Sequence, residues 1–182
     1  KRYTFNRLVA LTLSLFFFGV LNAFSQSKIG HKVAESDNNF KNAVGLRAGQ
    51  TSGVTYKHFF TGTEAVEFIM GVWPNSIGVA GLYEKYVPAG SIEGLNWYFG
   101  GGAHLSFRTN RLYYIYREGR YYAYRADYPG LGIGIDGVAG AEYKLPAIPL
   151  ALSFDIKPFI EINNSGVIFT TFDPGLGIKL TF

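Results

Sequence analysis

Leu95-Asn96-Trp97-Tyr98-Phe99-Gly100-Gly101-Gly102-Ala103-His104-Leu105-Ser106-Phe107 decides the fold, because its residues change character at every step. Leu95, Trp97, Phe99, Ala103, Leu105 and Phe107 fall on one face, and Asn96, Tyr98, Gly100, Gly102, His104 and Ser106 fall on the other. A period of two belongs to a strand whose two faces meet different surroundings.

The scheme recurs downstream. Leu131, Ile133, Ile135, Ala139 and Ala141 oppose Gly132, Gly134, Asp136, Gly140 and Glu142. Leu150, Leu152, Phe154, Ile156 and Ile160 oppose Ala151, Ser153, Asp155, Lys157 and Glu161, and Leu176, Ile178, Leu180 and Phe182 oppose Gly175, Gly177, Lys179 and Thr181. Upstream, Val44 to Gln50, Gly53 to Phe60, Ala65 to Trp73 and Ile77 to Val87 read as strands, which predicts about eight in all. Counted from a periplasmic N-terminus, the second, fourth and sixth connections (Thr61 to Glu64, Pro88 to Gly94, Leu145 to Pro149) are short. The fifth and seventh, at the other end, hold the two longest excursions, a disposition expected of short periplasmic turns and longer outer loops. Pro129-Gly130-Leu131-Gly132-Ile133 recurs as Pro174-Gly175-Leu176-Gly177-Ile178, each copy opening a strand that descends from the outer end.

Composition narrows the class. With 182 residues, no Cys and 23 Gly, the chain reads as one domain rich in turn and strand chemistry, without disulfides or thiolate metal sites. Lys1, Arg2 and Arg7 account for three of its 17 basic residues; the remaining 14 against 13 acids give no general case for nucleic acid. Those three precede an apolar stretch from Leu8 to Phe24, and Ala23 and Ser25 have the spacing a signal peptidase reads, so residues 1–25 are expected to be a cleaved export signal. Ser14, Gly19 and Asn22 dilute the stretch, which is short for a permanent span of ~20 apolar residues. Residues 26–42 are polar and aperiodic, a flexible periplasmic lead, which leaves 43–182 for the barrel.

Alternation alone does not say which face is inside. A soluble exported barrel would line a cavity for an apolar ligand with the oily face. The second face, however, combines many glycines with Arg47, Lys57, Glu67, Asp136, Glu142, Asp155, Lys157, Glu161 and Lys179, a set suited to a narrow interior in which charges pair. Trp97 to Phe107 is long enough for a tilted strand to cross about 25 Å of hydrocarbon, with Trp97 and Phe107 marking the interfaces and Tyr128 and Tyr143 in corresponding places on the next strand.

This pattern, closing on Phe182 at the end of an alternating strand, resembles the small eight-stranded outer-membrane barrels of the OmpA and OmpX type, particularly the short Bacteroidota versions. The resemblance covers Val44 to Phe182 and implies a membrane-spanning antiparallel up-and-down barrel in a Gram-negative outer membrane. It also implies contact with lipid and lipopolysaccharide, and a C-terminal aromatic at Phe182 read by the barrel-assembly machinery. Pro158 departs from the pattern by removing a ladder donor, which predicts a bulge or an early strand end. Eight strands enclose room only for side chains, so a porin is not expected.

Residues 108–128 are chemically distinctive. Arg108, Arg111, Arg117, Arg120 and Arg125 are five of the chain's eight Arg, and they are interleaved with Tyr113, Tyr114, Tyr116, Tyr121, Tyr122, Tyr124 and Tyr128. Glu118-Gly119 sits at the centre with Arg117 and Arg120 on either side, so the fifth and sixth strands are expected to continue outward as a two-stranded ribbon. The plain reading is that Tyr favours strands while Arg stays solvated or meets lipopolysaccharide phosphates. The functional reading is recognition of a surface protein or glycan, with Tyr as rigid apolar area, Arg binding anionic groups and exposed edges open to a partner strand.

His104 and Ser106, with Glu118 beyond them, resemble the His, Ser and Glu set of outer-membrane lipid A deacylases, which implies a hydrolase as the alternative function. The pair faces the lumen here, away from lipid, and Glu118 falls at the ribbon tip, so no enzyme activity is expected. Gly132-x-Gly134-x-x-Gly137 spells a dinucleotide fingerprint but lies within an alternating strand, and His31, His58 and His104 lack metal-ligand spacing, so no cofactor or metal is expected.

Overall fold

A computed structural model describes residues 40–73, 76–108, 112–117, 120–125, 130–164 and 166–182; the expected export signal and most of the lead lie outside these. Ten strands follow in order: β1 (Asn42–Gly49), β2 (Ser52–Thr61), β3 (Glu64–Trp73), β4 (Ser76–Pro88), β5 (Leu95–Arg108), β6 (Leu112–Arg117), β7 (Arg120–Arg125), β8 (Gly130–Lys144), β9 (Leu150–Asn163) and β10 (Ile168–Thr181). Eight of them close a barrel in the order β1-β10-β9-β8-β5-β4-β3-β2, every neighbour antiparallel, while β6 and β7 form a two-stranded sheet of their own.

The register fixes the geometry. From Lys179 the rungs pass through Gly45, Thr55, Ile69, Ala80, His104, Gly134 and Glu161 and return to β10 at Phe169, a stagger of ten residues. Ten residues at about 3.3 Å against eight strand gaps of about 4.8 Å tilt the strands about 40° from the axis.

Along every barrel strand the odd-even alternation separates two walls. The outer wall carries exposed Leu46, Phe68, Met70, Trp97, Ile133, Phe154 and Leu176, among many others. The inner wall holds Arg47, Lys57, Glu67, Asp136, Glu142, Asp155, Lys157, Glu161 and Lys179, all buried, as the second face of the sequence pattern predicts. Glycine and ions do not fill the interior alone. At the end where Asn42 pairs with Phe182, Phe40 meets Phe59 with ring centroids 5.1 Å apart, Phe59 meets Tyr86 at 5.0 Å, and Tyr86 stacks on Tyr98 at 5.2 Å. Phe40 to Asn42, assigned by sequence to the flexible lead, are thus part of the folded unit: Phe40 is buried, and Asn42 exchanges both backbone hydrogen bonds with Phe182.

Two expectations are corrected. Pro158 neither bulges nor ends its strand: β9 runs to Asn163, and Asp136↔Phe159 and Ala139↔Ile156 keep one register across the gap in rungs at Gly137 and Val138. The missing N–H is turned toward Gly137, where the absent side chain leaves room for the ring; a Cβ there would come within 3.3 Å of it. The seventh connection is no long excursion either. β10 begins at Ile168, seven residues before Gly175, and pairs with β9 down to Ile168↔Ile162, so four residues separate it from the end of β9 at Asn163. Between the described barrel strands, the fifth interval, from Arg108 to Gly130, is the long one.

Candidate functional site

Two regions carry chemistry: the lumen, and the segment between β5 and β8. In the lumen, rungs of opposite charge meet across the axis. At the end where Asn42 meets Phe182, Lys57 is 0% exposed and binds Glu84 at 2.8 Å, Glu67 at 3.1 Å and Glu142 at 3.2 Å, and it contacts the Tyr86 hydroxyl. Lys179 joins Glu67 to Glu142, at 3.2 Å from each. Further along the axis, the Tyr98 hydroxyl donates to Asp155 at 3.1 Å, and Arg47 reaches Asp155 at 2.6 Å and Asp173 at 3.1 Å. Thr51 adds its hydroxyl and its backbone N–H to Asp173, which ties the β1–β2 turn to β10. Lys157 then bridges Asp136 at 2.8 Å and Asp173 at 3.7 Å.

At the far end stand the residues that raised the question of hydrolysis. His104 Nδ1 lies 2.8 Å from Asp136, and its Nε2 lies 3.2 Å from Glu161 Oε2. Ser106 donates its hydroxyl proton to that same Glu161 oxygen at 2.6 Å. Ser106 and His104 therefore share an acceptor, whereas a general base has to face the hydroxyl it deprotonates. Both are buried inside the barrel, and Glu118 lies outside the described residues.

Arg108, assigned by sequence to the recognition set, is drawn onto the barrel rim: its guanidinium binds Glu161 at 2.9 Å and lies 4.1 Å over the Phe169 ring. Beyond it, β6 and β7 pair in the register Leu112↔Arg125, Tyr113↔Tyr124, Tyr114↔Ala123, Ile115↔Tyr122, Tyr116↔Tyr121 and Arg117↔Arg120. Arg111, Glu118 and Tyr128 lie outside the described residues. Of the aromatics expected at interfaces, Trp97 and Phe107 stand exposed at opposite ends of the outer face of β5, and Tyr143 is exposed near the end of β8. Phe182 is exposed on the outer wall beside Asn42.

Sequence reading missed Glu84 and Asp173. Glu84 shares its parity with Gly78 and Ala80, and Asp173 with Gly175, Gly177 and Lys179, so extending the period along each strand would have found both.

The barrel is similar to the crystal structure of the N-terminal β-barrel domain of Pseudomonas aeruginosa OprF. The two superpose with a TM-score of 0.50 at 12% sequence identity, over 78% of this chain and 95% of the other. At that identity the likeness is one of fold: a closed, all-β, eight-stranded antiparallel barrel. The chain matches no family model and no curated protein sequence.

Proposed function

We propose that the protein is a pore-less outer-membrane barrel of a Gram-negative bacterium, exported by a cleaved signal at residues 1–25, that acts at the cell surface as a binding or membrane-structural protein. One observation carries the reading: the wall facing away from the lumen is apolar and exposed around the whole circumference, while every lumen cation of the described barrel has a carboxylate partner. Water would be a poor solvent for the first and hydrocarbon an impossible one for the second. The ten steps from Trp97 to Phe107, at about 3.3 Å each and about 40° of tilt, rise about 25 Å, the height of the lipid band. Lumen side chains such as Tyr98, Lys57, Lys157 and Leu82 are fully buried, which supports a packed interior over a conducting one.

In this orientation the β6–β7 ribbon stands on the extracellular side and its Tyr and Arg residues form the recognition surface, for a surface protein or a glycan or for lipopolysaccharide phosphates. The shared acceptor of His104 and Ser106 favours a structural over a hydrolytic role for that pair.

Outer-membrane fractionation, heat-modifiable gel mobility and protease shaving of intact cells test the reading together. The protein is expected in the outer-membrane fraction, to migrate differently before and after boiling, and to be cleaved first between Arg108 and Gly130. A soluble periplasmic product that runs the same boiled and unboiled would refute it. For the ribbon, deletion of Leu112 to Tyr124 should leave the barrel folded and abolish cell-surface adhesion or partner pull-down; adhesion and pull-down both unchanged would remove the ribbon from the function.

A further inference from the structure

Hairpin turns in a staggered barrel do not lie at one height, and here the stagger gathers into a single step. Pairing of β1 with β10 stops at Gly49↔Gly175, whereas β10 continues to Ile168, held on its other side by β9. Phe182 directs both its N–H and its C=O to Asn42 on β1, and Thr181 directs its N–H to Pro149 on the β9 side. Alternation then fixes every other residue of β10: even-numbered ones face β1, odd-numbered ones face β9. Leu176, Ile178 and Leu180 find β1 there. Pro174 has no N–H to offer, and beyond it Phe172, Thr170 and Ile168 point N–H and C=O past the end of β1, where no described strand pairs with them.

Natural proteins blunt such an edge with Lys, a bulge or Pro. Ile168-Phe169-Thr170-Thr171-Phe172 contains none of these and no charge; Asp173 beneath it is turned inward onto Arg47. On the outer side Ile168 is 65% exposed and Phe172 56%, with Thr170 exposed between them. They prolong the row that β1 completes lower down with Val44 and Leu46.

We propose that this free edge of β10, from Ile168 to Phe172, receives an extended and uncharged segment of a partner protein as an added strand. The segment runs antiparallel to β10 in continuation of β1, with its N–H and C=O groups on Phe172, Thr170 and Ile168 and apolar or β-branched side chains on the outer side. A second copy of this chain does not fit the place. Two barrels inserted the same way in one membrane are related by rotation about its normal, so at about 40° of tilt their β10 strands would cross at about 80° instead of running antiparallel. That exclusion rests on the membrane reading; the open edge rests on the register alone.

Amide hydrogen exchange of the full chain, folded in detergent micelles, tests the edge independently of insertion into a bilayer. The probe is a short peptide of alternating Val and Thr, blocked at both ends, together with the same peptide N-methylated at alternate residues. The unmethylated probe is expected to slow exchange at Ile168, Thr170 and Phe172 by at least about tenfold, and the methylated one to have no effect. Thr170→Pro removes an edge donor at a position where an outer strand tolerates Pro, and Thr170→Lys blunts the edge without removing the donor; each should weaken the probe about tenfold or more. Unchanged exchange at up to about 1 mM probe would overturn the proposal. So would protection already present without probe, whose dependence on protein concentration would assign the cover to a second copy and whose independence would assign it to this chain's own loops.

Discussion

The inner and outer walls of the barrel are built on the same strands by alternate residues, yet they constrain sequence in opposite ways. Inside, Lys57 serves three carboxylates at once and Arg47 two, so each side chain is specified by partners on several strands. Outside, Phe68, Met70, Val72 and Ile77 share only size and apolarity, and nothing in their surroundings demands one over another. The lumen therefore depends on identity and the outer wall on class. Variants that respect one rule and break the other separate the two.

The largest effect is expected inside. Lys57→Met keeps length and apolar stem but strips Glu67, Glu84 and Glu142 of their common cation. Removing one partner of a buried ionic cluster costs about 3–5 kcal/mol, read as a lowered urea midpoint for unfolding from lipid vesicles. A loss well under 1 kcal/mol would mean that water reaches the cluster and that the lumen is not packed. Next comes a charge on the other wall. Ile156 lies midway along the outward residues of β9, between Leu150 and Ile162, and Ile156→Arg should cost about 2–4 kcal/mol in a membrane. In a soluble barrel the same change would be nearly silent, so this variant tests the sidedness of the whole molecule. Smaller again is Gly134→Ala, because a Cβ there would run into the His104 ring. Shifting that ring strains its contacts with Asp136 and Glu161, for an expected loss of about 1–3 kcal/mol in the same unfolding measurement.

The difference between the walls also explains what could be read without a structure. Class is legible from period and polarity, which is why eight strands and the inward placement of Arg47, Lys57, Asp136 and Lys179 were within reach. Partners were not: that Lys57 on β2 meets Glu142 on β8 depends on a ten-residue stagger accumulated around the ring, and no local pattern encodes it. The start of β10 was hidden for a different reason. Phe169 and Phe172 put aromatics on both parities and Pro174 looks like a break, whereas Pro174 in fact sits where β1 no longer needs a donor. On residues 108–128, the residue types and a turn between Arg117 and Arg120 were legible. The capture of Arg108 by Glu161 came only with the rim.

The smallest expected effect marks where the outer wall changes its rule. Glu64 and Lys85 face outward on β3 and β4 in one rung, 3.3 Å apart, with side chains a third to two-fifths exposed. His58 stands outward on neighbouring β2, so polar residues gather at this end of the apolar wall. If the lipid band ends there, the pair sits among headgroups and water, where salt screens it and side-chain entropy offsets most of its attraction. Lys85→Ala should then leave the urea midpoint unchanged within error, and raising salt from 0.1 to about 1 M should not separate variant from parent. A large destabilisation, insensitive to salt, would place the pair inside the hydrocarbon. The boundary would then lie nearer the Asn42–Phe182 end than Glu64, and the barrel would sit deeper in the proposed membrane than its aromatic residues at Trp97 and Tyr143 imply.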